Sequence, residues 1–451
     1  MVLWRAEEAA AATGGHATRD FGVTGVSADL THLVSGELFV ASDLAQARAA
    51  LDAGAGAVLA TQIPADCTGQ DPFLIVPDLS AGLIALAGLS RSKMPARVVA
   101  VGGALGKSTA LSMLLTALKP CGPIETVEAN TLTGFALRLA HLGALGGLLI
   151  VEFDPKDSAD LMPMAQLLRA DLLLLTPVAS SYGPALAATA GRTIAPRFEG
   201  DEITDGYPEN AIRYGTNACC DPRLIESRLV QDTTIIQARI GTDSPAPFLM
   251  KIRHPAPQIG VLALGVLALA QNCGADLAIA ALDLGLWEPA EGQGARDRIY
   301  MDILDAGASF DLFDVASEHN ASLPALASDL ATLQAARPRD GLGRLRRGRR
   351  IAFVGGNDPL PVGLAVHPVL ARIDRVHCFG AGGLALWKAI SESKRGEWRA
   401  EAAGLLDRIP HMIDAGDVVM VRGSEGSGAD QVVDALRNLG QLGAAEAHVV
   451  R

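Results

Sequence analysis

The stretch Val98-Val-Ala-Val-Gly-Gly-Ala-Leu-Gly-Lys-Ser-Thr109 runs from an apolar segment through a glycine-rich turn into a helical pattern. It predicts a buried strand over Arg97–Val101 and a helix over Lys107–Leu118. Glycines let backbone N–H groups turn towards phosphate oxygens, and the first turn of a helix adds a partial positive charge. The stretch therefore predicts a phosphate-binding loop, and the nucleotide-binding residues that we predict in it are Gly103, Gly106, Lys107, Ser108 and Thr109.

Two side chains of this loop carry the predicted chemistry. Lys107 would place its positive charge near the β- and γ-phosphates, and the hydroxyl of Ser108 would hold Mg²⁺. Val101 stands where the general Walker A pattern has its first glycine, so the pattern fails at that position. The alternative is an ordinary strand-to-helix turn whose lysine is solvated.

A second signal is the acidic end of the apolar run Leu148-Leu-Ile-Val-Glu-Phe-Asp154. Open parallel sheets place their ligands at the carboxyl ends of the strands. We therefore predict Glu152 as a metal ligand together with Ser108, and as a catalytic residue together with Lys107. The alternative for Glu152 is a strand-end carboxylate that caps a turn.

The composition favours layered α/β domains. The chain has 451 residues with 48 glycines, 4% aromatic and 20% charged residues. Strand and helix patterns alternate along it, so we expect parallel sheets with helices on both faces. At roughly 150 residues per domain the length suggests three domains, which we place at 1–92, 93–296 and 297–451. The polar stretch 90–96 is interpreted as the first linker.

The net charge of −12 argues against a nucleic-acid or anionic-membrane binder. A local arginine cluster is interpreted as a solvated connection into a strand, with a phosphate or RNA contact as the alternative; its members are Arg344, Arg346, Arg347, Arg349 and Arg350.

The longest apolar run, Ile259–Ala270, is too short to span a bilayer and predicts a buried helix without membrane insertion. Six cysteines without metal-ligand spacing predict reduced thiols of a cytoplasmic protein. We also expect the protein to be a monomer.

These motifs resemble those of the Mur ligase family, and the resemblance runs from end to end. Gly103–Thr109 occupies the place of the family's GxxGK[ST]T loop. Further landmarks are Gly25-Val-Ser-Ala-Asp29, Gly36-Glu-Leu-Phe-Val-Ala41, Arg253-His254, Gly292-Gln-Gly-Ala-Arg296 and Gly416-Asp-Val-Val-Met-Val-Arg-Gly-Ser424. The resemblance implies three α/β domains: an N-terminal domain for a UDP-sugar substrate, a central P-loop ATPase, and a C-terminal Rossmann-like domain.

The resemblance also implies an activity, with ATP and Mg²⁺ as cofactors. ATP would phosphorylate the terminal carboxylate of a UDP-muramoyl tripeptide, and the amine of D-alanyl-D-alanine would attack the acyl phosphate, in peptidoglycan precursor synthesis. It assigns three further residues to the nucleotide, namely Gln258, Arg296 and Asp314. Asp314 is equally compatible with a strand-end turn acid, and His254 with either a nucleotide contact or a core position.

The departures from the family pattern fall on functional positions. The uridine-site arginine is absent from Asp29-Leu-Thr-His32, and the metal-binding histidine aligns with Tyr182. Tyrosine is a poor Mg²⁺ ligand when neutral. The lysine that the family carbamylates to hold a second metal has no counterpart in Arg192-Thr-Ile-Ala-Pro-Arg197, and Gln293 replaces a further arginine. Two alternatives therefore stay open beside the ligase: a catalytically weak or inactive nucleotide-binding paralogue, and a ligase for another carboxylate.

Overall fold

The computed structural model describes residues 2–442 apart from 104–105, 178–181, 202–205, 231–232, 242–246, 255–258, 293, 302–308, 317–322, 334–347 and 425. These residues form two compact units. The first comprises Met1–Glu226, Gln237–Phe248 and Val261–Leu284, and the second Ser227–Ile236, Leu249–Gly260 and Gly285–Arg451. The predicted three-domain boundaries stay a prediction.

The first unit opens with a small α/β layer. Its strands are β1 (Trp4–Arg5), β2 (His16–Ala17), β3 (Gly22–Val23), β4 (Val26–Ser27), β5 (Leu38–Val40), β6 (Ala57–Ala60) and β7 (Phe73–Ile75), and its helices are α1 (Ala6–Thr13), α2 (Gln46–Asp52) and α3 (Leu79–Lys93). Strands β4 to β7 are parallel neighbours, β2 adds antiparallel to β7, and β1 pairs with β3. The strands predicted around residues 37–41, 57–60 and 73–76 are confirmed within one or two residues.

The linker predicted at residues 90–96 is wrong over its first half. Helix α3 continues to Lys93, and Ser90 is buried within it, where its hydroxyl donates to the carbonyl of Ala140 at 2.7 Å. A serine can occupy this apolar position because a backbone acceptor satisfies its hydroxyl. One hydrophobic core continues across this point, since Trp4, Leu86 and Phe135 all belong to it.

The main sheet carries the phosphate loop, on strands that belong to the first unit. The strands that follow are β8 (Arg97–Gly102), β9 (Ile124–Ala129), β10 (Leu148–Phe153), β11 (Leu172–Leu175), β12 (Arg192–Arg197), β13 (Ile212–Gly215), β14 (Arg223–Val230), β15 (Thr233–Arg239) and β16 (Phe248–Ile252). They form a nine-stranded sheet in the order β16-β15-β14-β13-β12-β11-β8-β10-β9. Every pair of neighbouring strands in the stretch β14-β13-β12-β11-β8-β10-β9 is parallel.

The helices of this region are α4 (Lys107–Leu118), α5 (Leu132–His141), α6 (Leu161–Leu168), α7 (Gly183–Ala187), α8 (Ile259–Cys273) and α9 (Leu277–Leu284), with 3₁₀ turns at Lys119–Cys121 and Ser158–Asp160. Strands β8, β10 and β11 are almost wholly buried and apolar, as expected of parallel strands covered on both faces. Helix α4 has the predicted bounds, and the apolar run 259–270 is a buried helix as predicted.

The second unit contains a further seven-stranded sheet. Its strands are β17 (Ala295–Tyr300), β18 (Ser309–Val315), β19 (Arg350–Gly355), β20 (Arg375–Phe379), β21 (Arg395–Arg399), β22 (Val418–Arg422) and β23 (Gln441–Leu442), in the order β21-β20-β19-β22-β18-β17-β23. Strands β18 to β22 pair in parallel, whereas β17 is antiparallel to β18 and β23.

Helices and 3₁₀ turns cover both faces of this second sheet. They are α10 (Leu323–Thr332), α11 (Gly380–Ala389), α12 (Ala403–Leu406) and α13 (Ala429–Arg437), with 3₁₀ turns at Val362–Val366, Pro368–Arg372 and Ile409–His411. Two apolar clusters lie on the two faces. This is the mixed α/β, Rossmann-like layer predicted for the C-terminal third of the chain.

The described part of the arginine cluster has a structural role. The guanidinium of Arg349 pairs with buried Asp417 at 2.7 Å, and the backbone N–H of Arg350 donates to Asp374 at 2.8 Å. Both contacts fix the start of β19. Arg344, Arg346 and Arg347 lie outside the described residues.

Within the residues that the structure describes, no helix combines the length and apolarity needed to cross a membrane.

A buried histidine makes the second unit sensitive to acid. The ring of His377 on β20 stacks on Phe353 with ring centroids 4.8 Å apart, and its Nδ1 accepts from the backbone N–H of Glu397 at 3.1 Å. Burial lowers the pKa of His377 to about 4, with an opposing contribution from the Glu397 carboxylate. The ordinary value in an unfolded chain is about 6.5.

We expect the stability of the protein to fall as the pH is lowered from about 6.5 to about 4, because the unfolded chain takes up the proton first. Between pH 7 and pH 5 this histidine should account for about 2 kcal/mol of lost unfolding free energy. Urea unfolding at a series of pH values should show a shallower pH dependence for His377→Gln than for the wild type. The same change at exposed His411 is the control and should keep the wild-type slope. An unchanged slope in His377→Gln would contradict the assignment.

Candidate nucleotide and metal site

Three neighbouring parallel strands bring the predicted residues to one edge of the main sheet. Strand β8 lies between β10 and β11, with Val101 opposite Glu152 and Gly102 opposite Leu175. The carboxyl ends of β8, β10 and β11 therefore meet, as expected for a ligand site in an open parallel sheet.

The loop after β8 has the backbone of a phosphate cradle at both described ends. Gly103 has φ +136° and Gly106 has φ +76°, conformations that side chains with a Cβ rarely adopt. Gly106 is the N-cap of α4, and no described side chain caps this helix. The first-turn N–H groups of α4 are thus left for an anion, which is the arrangement of helix-terminal phosphate sites.

The two predicted metal ligands are in direct contact. The Ser108 hydroxyl donates to a carboxylate oxygen of Glu152 at 2.7 Å. Glu152 is only 4% exposed. Burial raises the pKa of its carboxyl, while the Ser108 hydrogen bond and the charge of Lys107 lower it.

This oxygen pair fits a nucleotide-bound Mg²⁺. Mg²⁺ prefers hard oxygen ligands and is usually held by one or two protein groups together with phosphates and waters. A hydroxyl and a carboxylate at the phosphate loop meet that requirement. Among the described residues, no three His, Cys, Asp or Glu side chains are grouped to hold a metal on their own. Ser108 and Glu152 are therefore the residues that would hold the ion.

Lys107 has a partner that the sequence analysis missed. Its Nζ lies 3.0 Å from a carboxylate oxygen of Asp154, which is more than half exposed. Since Lys107 is largely buried and Asp154 is not, the lysine can exchange this carboxylate for a phosphate without losing a buried partner. The signal was visible in the sequence, because Asp154 follows Glu152 by two residues at the same strand end.

The described residues that depart from the family pattern are exposed or make local side-chain contacts. Tyr182 is 41% exposed and precedes α7, a helix of five residues. Arg192 donates to Asn272 at 3.0 Å, and residues 157–250 contain no lysine. The predicted loss of the second-metal lysine thus extends over the whole segment around β12.

The loop predicted to lie at the family's uridine site is stabilised by hydrogen bonds among its own residues. The side chain of Asp29 accepts from the backbone N–H and the hydroxyl of Thr31, each at 2.8 Å, and lies 2.8 Å from Nδ1 of His32. These bonds, the one to His32 first, lower the pKa of Asp29 to about 2. No arginine takes part in this described cluster.

Two of the remaining predicted nucleotide residues, Arg296 and Asp314, belong to the second unit. There Arg296 pairs with Asp311 at 2.6 Å and Asp314 with Arg437 at 3.2 Å. Asp314 also accepts from the backbone N–H of Ala316, and burial raises the pKa of its carboxyl. These contacts favour the strand-end acid over a ribose contact. Gln258 lies outside the described residues.

His254 is a buried core histidine of the second unit. Its ring lies 6.0 Å from the ring of Trp287 and 6.1 Å from that of Phe313. Burial, and to a smaller extent the charge of Arg296, lowers its pKa to about 4. The core interpretation of His254 therefore accounts for its described surroundings.

Comparison with known proteins points to one group of enzymes. No protein-family model matches the chain. UDP-N-acetylmuramoyl-tripeptide--D-alanyl-D-alanine ligase from Escherichia coli K12 is 31% identical over 182 residues, which are 40% of this chain and 38% of that relative. The chain thus matches about two fifths of the relative's length.

Similar solved structures cover nearly the whole chain. MurF from Acinetobacter baumannii has a TM-score of 0.71 at 16% identity, covering 96% of this chain and 99% of its own. MurF from Thermotoga maritima, in complex with ADP, has a TM-score of 0.70 at 17% identity, covering 92% and 98%. A pseudomurein peptide ligase type C from Methanothermus fervidus has a TM-score of 0.57 at 14% identity, covering 88% of each chain. The fold of this chain is that of the Mur ligases.

Proposed function

We propose that this chain, which has the Mur ligase fold, is an ATP-dependent ligase that joins an amine to an activated carboxylate. The observation that carries the proposal is the contact between Ser108 and Glu152 at 2.7 Å, beside Lys107 at the mouth of the loop. These three side chains supply the charge and the metal ligands that phosphoryl transfer requires. The non-catalytic, nucleotide-binding alternative could use the same side chains to hold MgATP; the similarity to amide ligases favours the ligase over it.

The substrates that we propose are those of the E. coli relative's name, a UDP-muramoyl tripeptide and D-alanyl-D-alanine. The carboxylate takes the γ-phosphoryl group of ATP, ADP leaves, and the amine nitrogen then displaces phosphate from the acyl phosphate. Mg²⁺, held by Ser108 and Glu152, would screen the charge of the phosphates. We further propose that the protein works as a monomer in the cytoplasm.

The protein's own residues contribute mostly position and charge. The N–H groups at the start of α4 orient the phosphates, and Lys107 moves from Asp154 to the transferring group. The N–H groups are fixed before the reaction begins, so they stabilise developing charge without reorganisation, whereas Lys107 first has to leave Asp154.

The proposal is tested by phosphate release from MgATP. We expect release only when the UDP-muramoyl tripeptide and D-alanyl-D-alanine are both present. Each substrate alone is the control. Release absent with both substrates at high protein concentration would overturn the proposed ligase. Release supported by another carboxylate but not by the UDP-muramoyl tripeptide would overturn the substrate assignment alone.

A further inference from the structure

A buried hydroxyl beside the phosphate loop has no hydrogen-bond partner among the described residues. Thr176 directly follows β11 and is 1% exposed. Its backbone N–H continues the sheet by donating to the carbonyl of Gly102 at 2.9 Å. Its Oγ1 atom is buried and makes no hydrogen bond to any residue that the structure describes. Buried hydroxyls are normally paired, so an isolated one calls for an explanation.

The hydroxyl lies directly against the backbone of the loop. A Cβ added to Gly103 would come within 2.0 Å of Thr176 Oγ1. Glycine is therefore needed at position 103 for two reasons. Its φ is +136°, and the Thr176 hydroxyl occupies the space that a side chain on residue 103 would need. The hydroxyl therefore lies against Gly103, at the start of the loop.

The register of the sheet places Thr176 on the face that carries the predicted metal ligands. Leu174, Val101 and Glu152 are opposite one another on three adjacent strands. Side chains two residues apart along an extended chain share a face. Thr176 is two residues beyond Leu174, so it lies on the same face as Glu152.

We propose that Thr176 is a further phosphate-site residue, whose hydroxyl donates a hydrogen bond to a phosphate oxygen of the bound nucleotide. The inference rests on the proposed function, since it needs a nucleotide in the loop. A buried donor that has no partner among the described residues gives up no protein hydrogen bond when the ligand arrives, so the new bond contributes more than one from an exposed hydroxyl. A phosphate oxygen is charged, which strengthens the bond further.

The test compares Thr176→Val, which keeps the shape but not the hydroxyl, with Thr176→Ser, which keeps the hydroxyl. Calorimetric titration with MgATP should show affinity about tenfold or more weaker for the valine variant. The serine variant should bind within about threefold of the wild type. Without nucleotide, Thr176→Val should melt at the wild-type temperature or above it, because no buried polar atom is left unpaired.

A matched control lies on strand β12. Thr193 is also buried, but its hydroxyl faces the carbonyl of Ala187 at 3.5 Å, away from the loop. Thr193→Val should bind MgATP like the wild type. Wild-type affinity in Thr176→Val, or equal losses in the valine and serine variants, would overturn the assignment in favour of simple packing.

Lys107→Ala in the same titration separates this inference from the proposed function. A wild type that fails to bind MgATP overturns both. Loss of binding in Lys107→Ala with unchanged binding in Thr176→Val overturns only the role of Thr176.

Discussion

Lys107→Met is expected to lower the rate of ATP-dependent phosphate release by about 10²–10³ or more, because it removes a positive charge aimed at the transferring group. The change should leave the fold intact, since the ion-pair partner of the lysine is the carboxylate of Asp154, which is more than half exposed. An exposed carboxylate that loses its partner is solvated at little cost. The measurement is steady-state phosphate release at saturating substrates, with circular dichroism to show that the variant is folded.

Lys119→Met is the matched control, because it removes the same charge from the exposed far end of the same helix. It should retain the wild-type rate. Equal rates for Lys107→Met and the wild type would mean that the loop's lysine is merely solvated, which is the alternative weighed from the sequence.

Gly355→Ala is expected to destabilise the second unit by about 3 kcal/mol, at the upper end of the usual cost of overpacking. A Cβ at this position would come within 2.2 Å of the Phe379 ring, which is fully buried on the adjacent strand. Neither the strand nor the ring has room to move aside. Urea unfolding should therefore show a lower midpoint for this variant.

A double-mutant cycle tests the cause of this loss. Phe379→Ala alone should cost about 3–5 kcal/mol, and adding Gly355→Ala should then cost little more, because the clashing ring is gone. Gly363→Ala is the control, since its Cβ would meet only the end of the Leu323 side chain at 3.3 Å. Simple additivity in the cycle would show that the loss comes from the backbone and not from the ring.

The sequence predicted elements whose determinants are local. Helix α4 has the predicted bounds because the glycines before Lys107 stop the strand and the helix begins at the lysine. The proximity of Ser108 and Glu152 was also predictable, since strand ends meet at one edge of a parallel sheet. Both predictions rested on periodicity, sheet topology and the spacing of the phosphate-loop motif.

Features set by distant partners could not be predicted. Ser90 looked like a linker residue because its acceptor, the carbonyl of Ala140, lies 50 positions away. The ion pair of Asp314 could not be predicted either, because its partner Arg437 is 123 positions further along the chain. A polar side chain shows its partner only in the folded structure, so long-range contacts of this kind cannot be derived from sequence patterns.

The shared core of the first unit constrains how this protein can diverge. Trp4 and Leu86 pack in the same cluster as Phe135 and Val151, so the segment with the altered uridine loop and the layer bearing Glu152 are buried together. Removal of residues 2–92 would expose to water the apolar faces of the layer that carries the phosphate loop. Variation within this segment is therefore best accommodated in exposed loops such as that of Asp29, and an exchange of the entire segment would have to rebuild the core beneath the phosphate loop with it.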